Sequence, residues 1–138
     1  MAAVIVDTGP LVAYLDGNEQ HHAWVRAQLQ ALDEPMLACD AVLVEASFVL
    51  GRRGHPLDKV FGLLQGEVIS LAFDTAKHWR ALRGLAHSYR NLPMSLADAC
   101  LVRMSELHRD SVVFTLDRDF LVYRRNGRQK IPLLAPFA

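Results

Sequence analysis

At 138 residues, 51% of them apolar, the chain is too rich in core-forming side chains for disorder and has the length of one domain, residues 1–138. No uninterrupted apolar run approaches the ~18 residues that cross a bilayer, and no basic segment followed by a hydrophobic one precedes Asp7, so neither membrane anchor nor signal peptide is expected. Net charge is zero, yet residues 1–50 hold seven acids and one base while residues 51–138 hold eight acids and 14 bases, an asymmetry that can mark a nucleic-acid-binding face.

Val4-Ile5-Val6 is a β-branched run suited to a central strand covered on both faces. Asp7 ends it. Thr8-Gly9-Pro10 then turns the chain, with Thr or Gly as the cap and Pro at a first helical position, and Leu11, Val12, Tyr14 and Leu15 begin a helix. Past the Asp16-Gly17-Asn18 turn, His22, Val25, Leu29 and Leu32 recur at spacings of three and four, which predicts an amphipathic helix over 19–32 with Trp24 beside its apolar face. Met36 to Cys39 reads as a second buried strand, and Asp40 as the cap of a helix through about Arg52. Cys39 and Cys100 have apolar neighbours and read as small buried thiols in a reducing compartment, the cytoplasm, with no Cys/His cluster for zinc.

Pro56 opens a fourth helix with Leu57, Val60, Phe61 and Leu64 on one face, and Gly66 stops it. A third strand is expected over 68–73. Asp74 caps a long helix over 75–90 that carries Trp79, Leu82, Leu85 and Ala86 inward. Ser95 starts a sixth helix to about His108. Val112-Val113-Phe114 is a fourth strand and 131–134 a weaker fifth. Strands alternating with helices across short connections specify an α/β fold: a three-layer α/β/α sandwich with a central parallel sheet of four to five strands and helices on both faces.

Four acids stand out against this frame. Asp7 follows a buried strand, where open parallel sheets bind ligands, although a helix cap would serve as well. Glu45 lies in a helix where eight of the nine residues around it, all but Ser47, are apolar, and a carboxylate buried there needs a partner or a cation. Asp98 has small or apolar neighbours on both sides, although Ser95 and Asp98 also match a capping box. Asp117 follows the fourth strand, with Asp119 close behind. Carboxylates gathered at one place repel unless a cation neutralises them, and oxygen donors without His or Cys favour hard ions, Mg²⁺ or Mn²⁺. Such an ion activates water and stabilises phosphoryl oxygens, so phosphodiester hydrolysis is the natural chemistry. No Walker A loop points to nucleotide triphosphates.

Four segments in this order resemble the PIN-domain ribonucleases, and most of all the VapC-type toxins of toxin–antitoxin pairs: Val-Ile-Val-Asp-Thr-Gly-Pro-Leu-Val-Ala, Val44-Glu45, Ser-Leu-Ala-Asp-Ala and Thr-Leu-Asp-Arg-Asp-Phe. The resemblance covers essentially the whole chain. It implies a PIN-like fold, a Mg²⁺-dependent endoribonuclease, and Asp7, Glu45, Asp98 and Asp117 as metal-site residues, with Thr8, Thr115 and Asp119 in support. It also implies a cognate antitoxin lying in the active-site groove and a homodimer.

The bases supply candidates for RNA grip: Arg80, Arg83 and Arg90 with His87 on one helix, and Arg118, Arg124 and Arg125, followed by Arg128 and Lys130, after the last acid. Tyr89, Tyr123 and Trp24 are candidate base-stackers, with core packing as the alternative. Apolar residues between 43 and 64 (Val49, Leu50, Val60, Phe61 and Leu64) could form partner surfaces or core. The rival readings are a non-toxin RNA-processing nuclease of the same fold, and a PIN fold that binds RNA or protein without cleaving. Asp7-Thr8-Gly9 is also the tripeptide of aspartic proteases, but a helical pattern follows it at once. A phosphoacceptor receiver domain lacks support, because neither paired acids early in the chain nor a lysine after the last core strand is evident.

Overall fold

The β-branched start of the chain becomes the centre of a sheet. In the computed structural model, which describes residues 2–138, the chain runs β1 (Ala3–Val6), α1 (Thr8–Leu15), α2 (His22–Gln30), β2 (Met36–Ala38), α3 (Asp40–Arg52), α4 (Asp58–Gln65) and β3 (Ile69–Leu71). It continues through α5 (Thr75–Ser88), α6 (Leu96–Leu107), β4 (Ser111–Phe114), a 3-10 turn (Arg118–Leu121), β5 (Arg124–Arg125), β6 (Gln129–Lys130) and β7 (Leu133–Leu134). β1, β2, β3, β4 and β7 form one parallel sheet in the order β3-β2-β1-β4-β7, with the six helices covering its two faces. The α/β class and the central parallel sheet are as expected.

The strands pair as their composition demands. Ile5 lies opposite Val113 and Val6 opposite Phe114, and all four side chains are fully buried. Strands covered on both faces have no solvated side on which to place polar residues. α6 is the central helix of the core, with eight of its 12 residues buried. Asp16, at the end of α1, is buried and accepts from the Asn18 N–H (3.1 Å) and from Arg53 (3.0 Å) just past α3, and these hydrogen bonds, that of Asn18 first, hold its carboxyl below the usual range.

Several local expectations need correction. α2 is shorter than the spacing suggested, with Val25 its buried residue. On α4 the inward residues are Val60 and Leu63, whereas Leu57 and Phe61 are 56% and 57% exposed. The i, i+3, i+4 rule marks a helical stripe but does not say which of two adjacent stripes meets the sheet. Leu63→Ala is therefore expected to cost about 2–5 kcal/mol and Phe61→Ala within about 0.5 kcal/mol, as urea unfolding midpoints would check. Trp79 is likewise half exposed, not inward. The β5–β6 hairpin was not expected. Its loop places Asn126 (φ 53°) and Gly127 (φ 80°) in the left-handed region, so the Asn-Gly pair is the signal for it.

Candidate active site

The sheet order creates a crevice. From β1 the chain builds β2 and β3 on one side, then crosses back to place β4 on the other, so the connections after β1 and β4 diverge at their C-terminal ends. Open α/β sheets bind ligands at such switch points. Asp7 follows β1 directly, and its backbone N–H still donates to Phe114 O of β4 (2.9 Å). Its Oδ1 accepts from the N–H of Thr8 (2.7 Å), so Asp7 itself is the N-cap of α1, in the place assigned to Thr8 or Gly9.

A buried hydroxyl ties the two strand ends together. Thr115 Oγ1 donates to Asp7 Oδ2 (2.7 Å) and accepts from the Asp117 N–H (2.9 Å). Asp117 Oδ1 accepts in turn from the Asp119 N–H (2.8 Å), which caps the 3-10 turn. Gly9 lets the two loops close on each other, since a Cβ there would stand 3.3 Å from Leu116 Cβ.

The other two acids come from helices. Glu45 projects from α3 and accepts from Thr8 Oγ1 (3.1 Å). Asp98 stands in the first turn of α6, where the capping box is formed: Ser95 Oγ accepts from the Asp98 N–H (3.0 Å), and Asp98 Oδ2 accepts from the Ser95 N–H (3.2 Å). One residue thus caps α6 and lines the cavity that the other three acids share. Asp98 Oδ2 also accepts from the hydroxyl of Tyr123 (3.1 Å), which is fully buried between Phe120 and Tyr89. Sequence reasoning missed this partner and offered Tyr123 as a base-stacker. No local signal links it to Asp98, which lies 25 positions away.

Asp7, Glu45, Asp98 and Asp117 line one cavity, with Thr8, Gly9, Leu116 and Arg118. Burial, with smaller contributions from the charges of Asp98 and Asp117, pushes the Asp7 carboxyl up to about 7 against the pull of its Thr115 and Thr8 hydrogen bonds. Asp98 is raised too, first by burial and then by the charges of Asp117 and Glu45. Negative charge is thus held there at a cost that a cation would relieve. Among the described residues no three His, Cys, Asp or Glu side chains are drawn together closely enough to grip a bare ion. An all-oxygen set standing around a cavity suits an ion that keeps several of its waters, which is the habit of Mg²⁺.

The remaining candidates are distributed unevenly. Arg118 reaches the cavity, with its guanidinium 4.8 Å from the ring centre of Phe137. Asp119 supports Asp117 through its backbone and does not line the cavity. Arg124 donates to the carbonyls of Leu121, Val122 and Tyr123, and Arg125 to those of Ser105 and Arg109, so both are tied to the scaffold. Arg80, Arg83 and Arg90 are exposed on or just past α5. Trp24 packs edge-on against Phe114, and the Tyr89 hydroxyl accepts from the Arg124 N–H (2.8 Å).

Comparison with known proteins bears on this arrangement. A family model described as "PIN domain" matches residues 4–126. Ribonuclease VapC26 of Mycobacterium tuberculosis (strain ATCC 25618 / H37Rv) is 26% identical over 117 residues, covering 83% of this chain and 87% of that protein. The crystal structure of Mycobacterium tuberculosis VapC20, described as a sarcin-ricin loop cleaving toxin, superposes with a TM-score of 0.76 at 16% identity, covering 85% of this chain and 92% of that one.

Proposed function

The chain belongs to the PIN-domain family, and from that premise we propose that it is a Mg²⁺-dependent endoribonuclease, the toxin of a toxin–antitoxin pair. The observation that carries this reading is the convergence of Asp7, Glu45, Asp98 and Asp117, spread from position 7 to position 117, on one cavity at the switch point. Likeness over most of its length to a relative named as a ribonuclease supports the reaction class.

Asp7 and Asp98 would be the principal residues holding the ion, directly or through water, and Glu45 and Asp117 would complete its shell or hold a second ion when RNA is bound. Mn²⁺ would substitute, because the donors are all oxygen. The bound ion would supply activated water and charge stabilisation at the scissile phosphate. The chain's own residues fix the geometry. Thr115 and the Thr8 N–H each hold one oxygen of Asp7, Tyr123 and the Ser95 N–H share one oxygen of Asp98, and Thr8 Oγ1 holds Glu45. Arg118 at the rim meets the incoming phosphate, with Arg80, Arg83 and Arg90 extending the basic track.

Single-stranded or looped RNA suits this open site better than duplex. The cognate antitoxin would occupy the same groove. Val44, Phe48, Leu57 and Phe61, all more than half exposed on or beside α3 and α4, offer the apolar surface that an antitoxin or a second copy requires. The cytoplasm is the compartment in which such a pair acts, and among the described residues no helix is long and apolar enough to cross a membrane.

Incubation of the purified protein with RNA tests the reading. Cleavage is expected with Mg²⁺, none with EDTA, and a loss of at least ~10²-fold in Asp98→Asn. RNA binding without cleavage in any divalent ion would overturn the enzyme and leave a binding module.

A further inference from the structure

α5, like α2, is a poorly buried helix, and it is the longer of the two. Of its 14 residues, Leu82 is the buried one. From Thr75 to Arg90 the chain holds Lys77, Arg80, Arg83 and Arg90 and no acid. Trp79 stands 47% exposed in the middle of this basic stretch, with the Arg80 guanidinium 4.7 Å from its ring centre. An indole left in water forgoes burial that an aromatic side chain readily finds, so a half-exposed tryptophan among cations marks a binding surface more than a packing accident.

The indole also lines a groove of about 360 Å³. Thr75, Trp79 and Arg83, spaced four apart, form one wall along α5, while Ser95, Leu96 and Ala99 in and beside the first turn of α6 form the other. Leu96 is 58% exposed. That same turn carries Asp98 into the acidic cavity, so groove and cavity flank a single turn of helix.

We propose that this groove is a base-binding subsite of the nuclease, in which Trp79 and Leu96 take a nucleobase of single-stranded RNA while Arg80 and Arg83 hold its phosphates. The inference deepens the nuclease reading and rests on it. Charge selects the occupant. A flat apolar group attached to a polyanion complements an indole set among unopposed cations. A second copy would bring α5 against a helix of its own sign. The subsite explains how a chain whose other aromatic candidates are buried, as Tyr123 is, or half-buried against Phe114 and Tyr123, as Trp24 and Tyr89 are, can still stack a base.

Anisotropy of labelled single-stranded RNA oligonucleotides in Ca²⁺, with an abasic residue placed at each position in turn, tests the subsite. Trp79→Ala is expected to weaken binding about tenfold or more and Trp79→Phe to restore most of the loss. One abasic position should cost the wild type its affinity and cost Trp79→Ala nothing. Arg83→Gln should instead weaken all sequences alike and lower the salt slope by about one. Wild-type binding and cleavage by Trp79→Ala would overturn the subsite and leave the nuclease standing. So would a change from dimer to monomer without a change in RNA affinity, or failure of the wild type to bind the oligonucleotides. Trp79-dependent binding by a chain that cleaves nothing would sink the nuclease reading and keep the subsite.

Discussion

Asp7→Asn is expected to abolish RNA cleavage and, in EDTA at pH 8, to raise the thermal stability of the protein. The two effects have one origin. Asp7 is buried, and its carboxyl titrates at about 7 in the fold against 3.8 when unfolded. Between those values the native state binds a proton that the unfolded chain has released. The metal-free protein therefore loses stability as pH rises through this window. At pH 8 the charged group costs on the order of 2–4 kcal/mol, whereas replacing a hydrogen-bonded carboxylate oxygen by an amide costs about 1 kcal/mol. A rise of several degrees in unfolding temperature at pH 8 should accompany little change or a small loss at pH 5. Mg²⁺ should stabilise the wild type at pH 8 and leave the variant unaffected. Equal destabilisation of the variant at both pH values would show that Asp7 is an ordinary helix cap and that the site carries no stored charge.

Tyr123→Phe should leave the fold intact and impair the site from behind. Removing the hydroxyl takes one donor from Asp98 Oδ2 and leaves the Ser95 N–H in place. Asp98, already raised by burial, should titrate higher still, so the rising limb of the cleavage–pH profile moves upward. The Mg²⁺ concentration for half-maximal cleavage should rise about 10–100-fold, as for other groups that orient a metal ligand. The stability loss should stay near 1–3 kcal/mol. Tyr89→Phe is the control, because its hydroxyl serves the Arg124 N–H and no acid. It should cost comparable stability without moving the Mg²⁺ dependence. If both variants behave alike, Tyr123 is a core residue and does not position Asp98.

The two substitutions also separate what residue order reveals from what it conceals. Asp7, Glu45, Asp98 and Asp117 could be singled out because each breaks an apolar or strand-ending context, and unsatisfied charge in such a context is costly wherever the chain goes. Asp7 and Asp98 each cap a helix and line the cavity at once, two places that local reading presented as alternatives. Tyr123, by contrast, looked like any aromatic near a basic segment, and Arg124 and Arg125 looked free for RNA. The bond of Tyr123 to Asp98 and those of Arg125 to the carbonyls of Ser105 and Arg109 arise only because the chain after β4 folds back over α6, whereas Arg124 turns back onto the carbonyls of its own neighbours Leu121, Val122 and Tyr123. The exposure of Trp79 and Phe61 was concealed for a related reason, since each is apolar at helical spacing and the spacing is blind to which stripe finds a neighbour.

Composition and local chemistry by themselves determined the alternation of strands and helices, the central place of Val4-Ile5-Val6, and the identity of the four acids, because β-branched runs, caps and misplaced charges act over a few residues. Tertiary structure alone decided that β4 returns beside β1, that Tyr123 holds Asp98 from behind, and that an indole stays in water beside the same turn of α6. Those outcomes depend on contacts between residues as many as 108 positions apart, whose free energy is set by mutual packing and by no property of either segment alone.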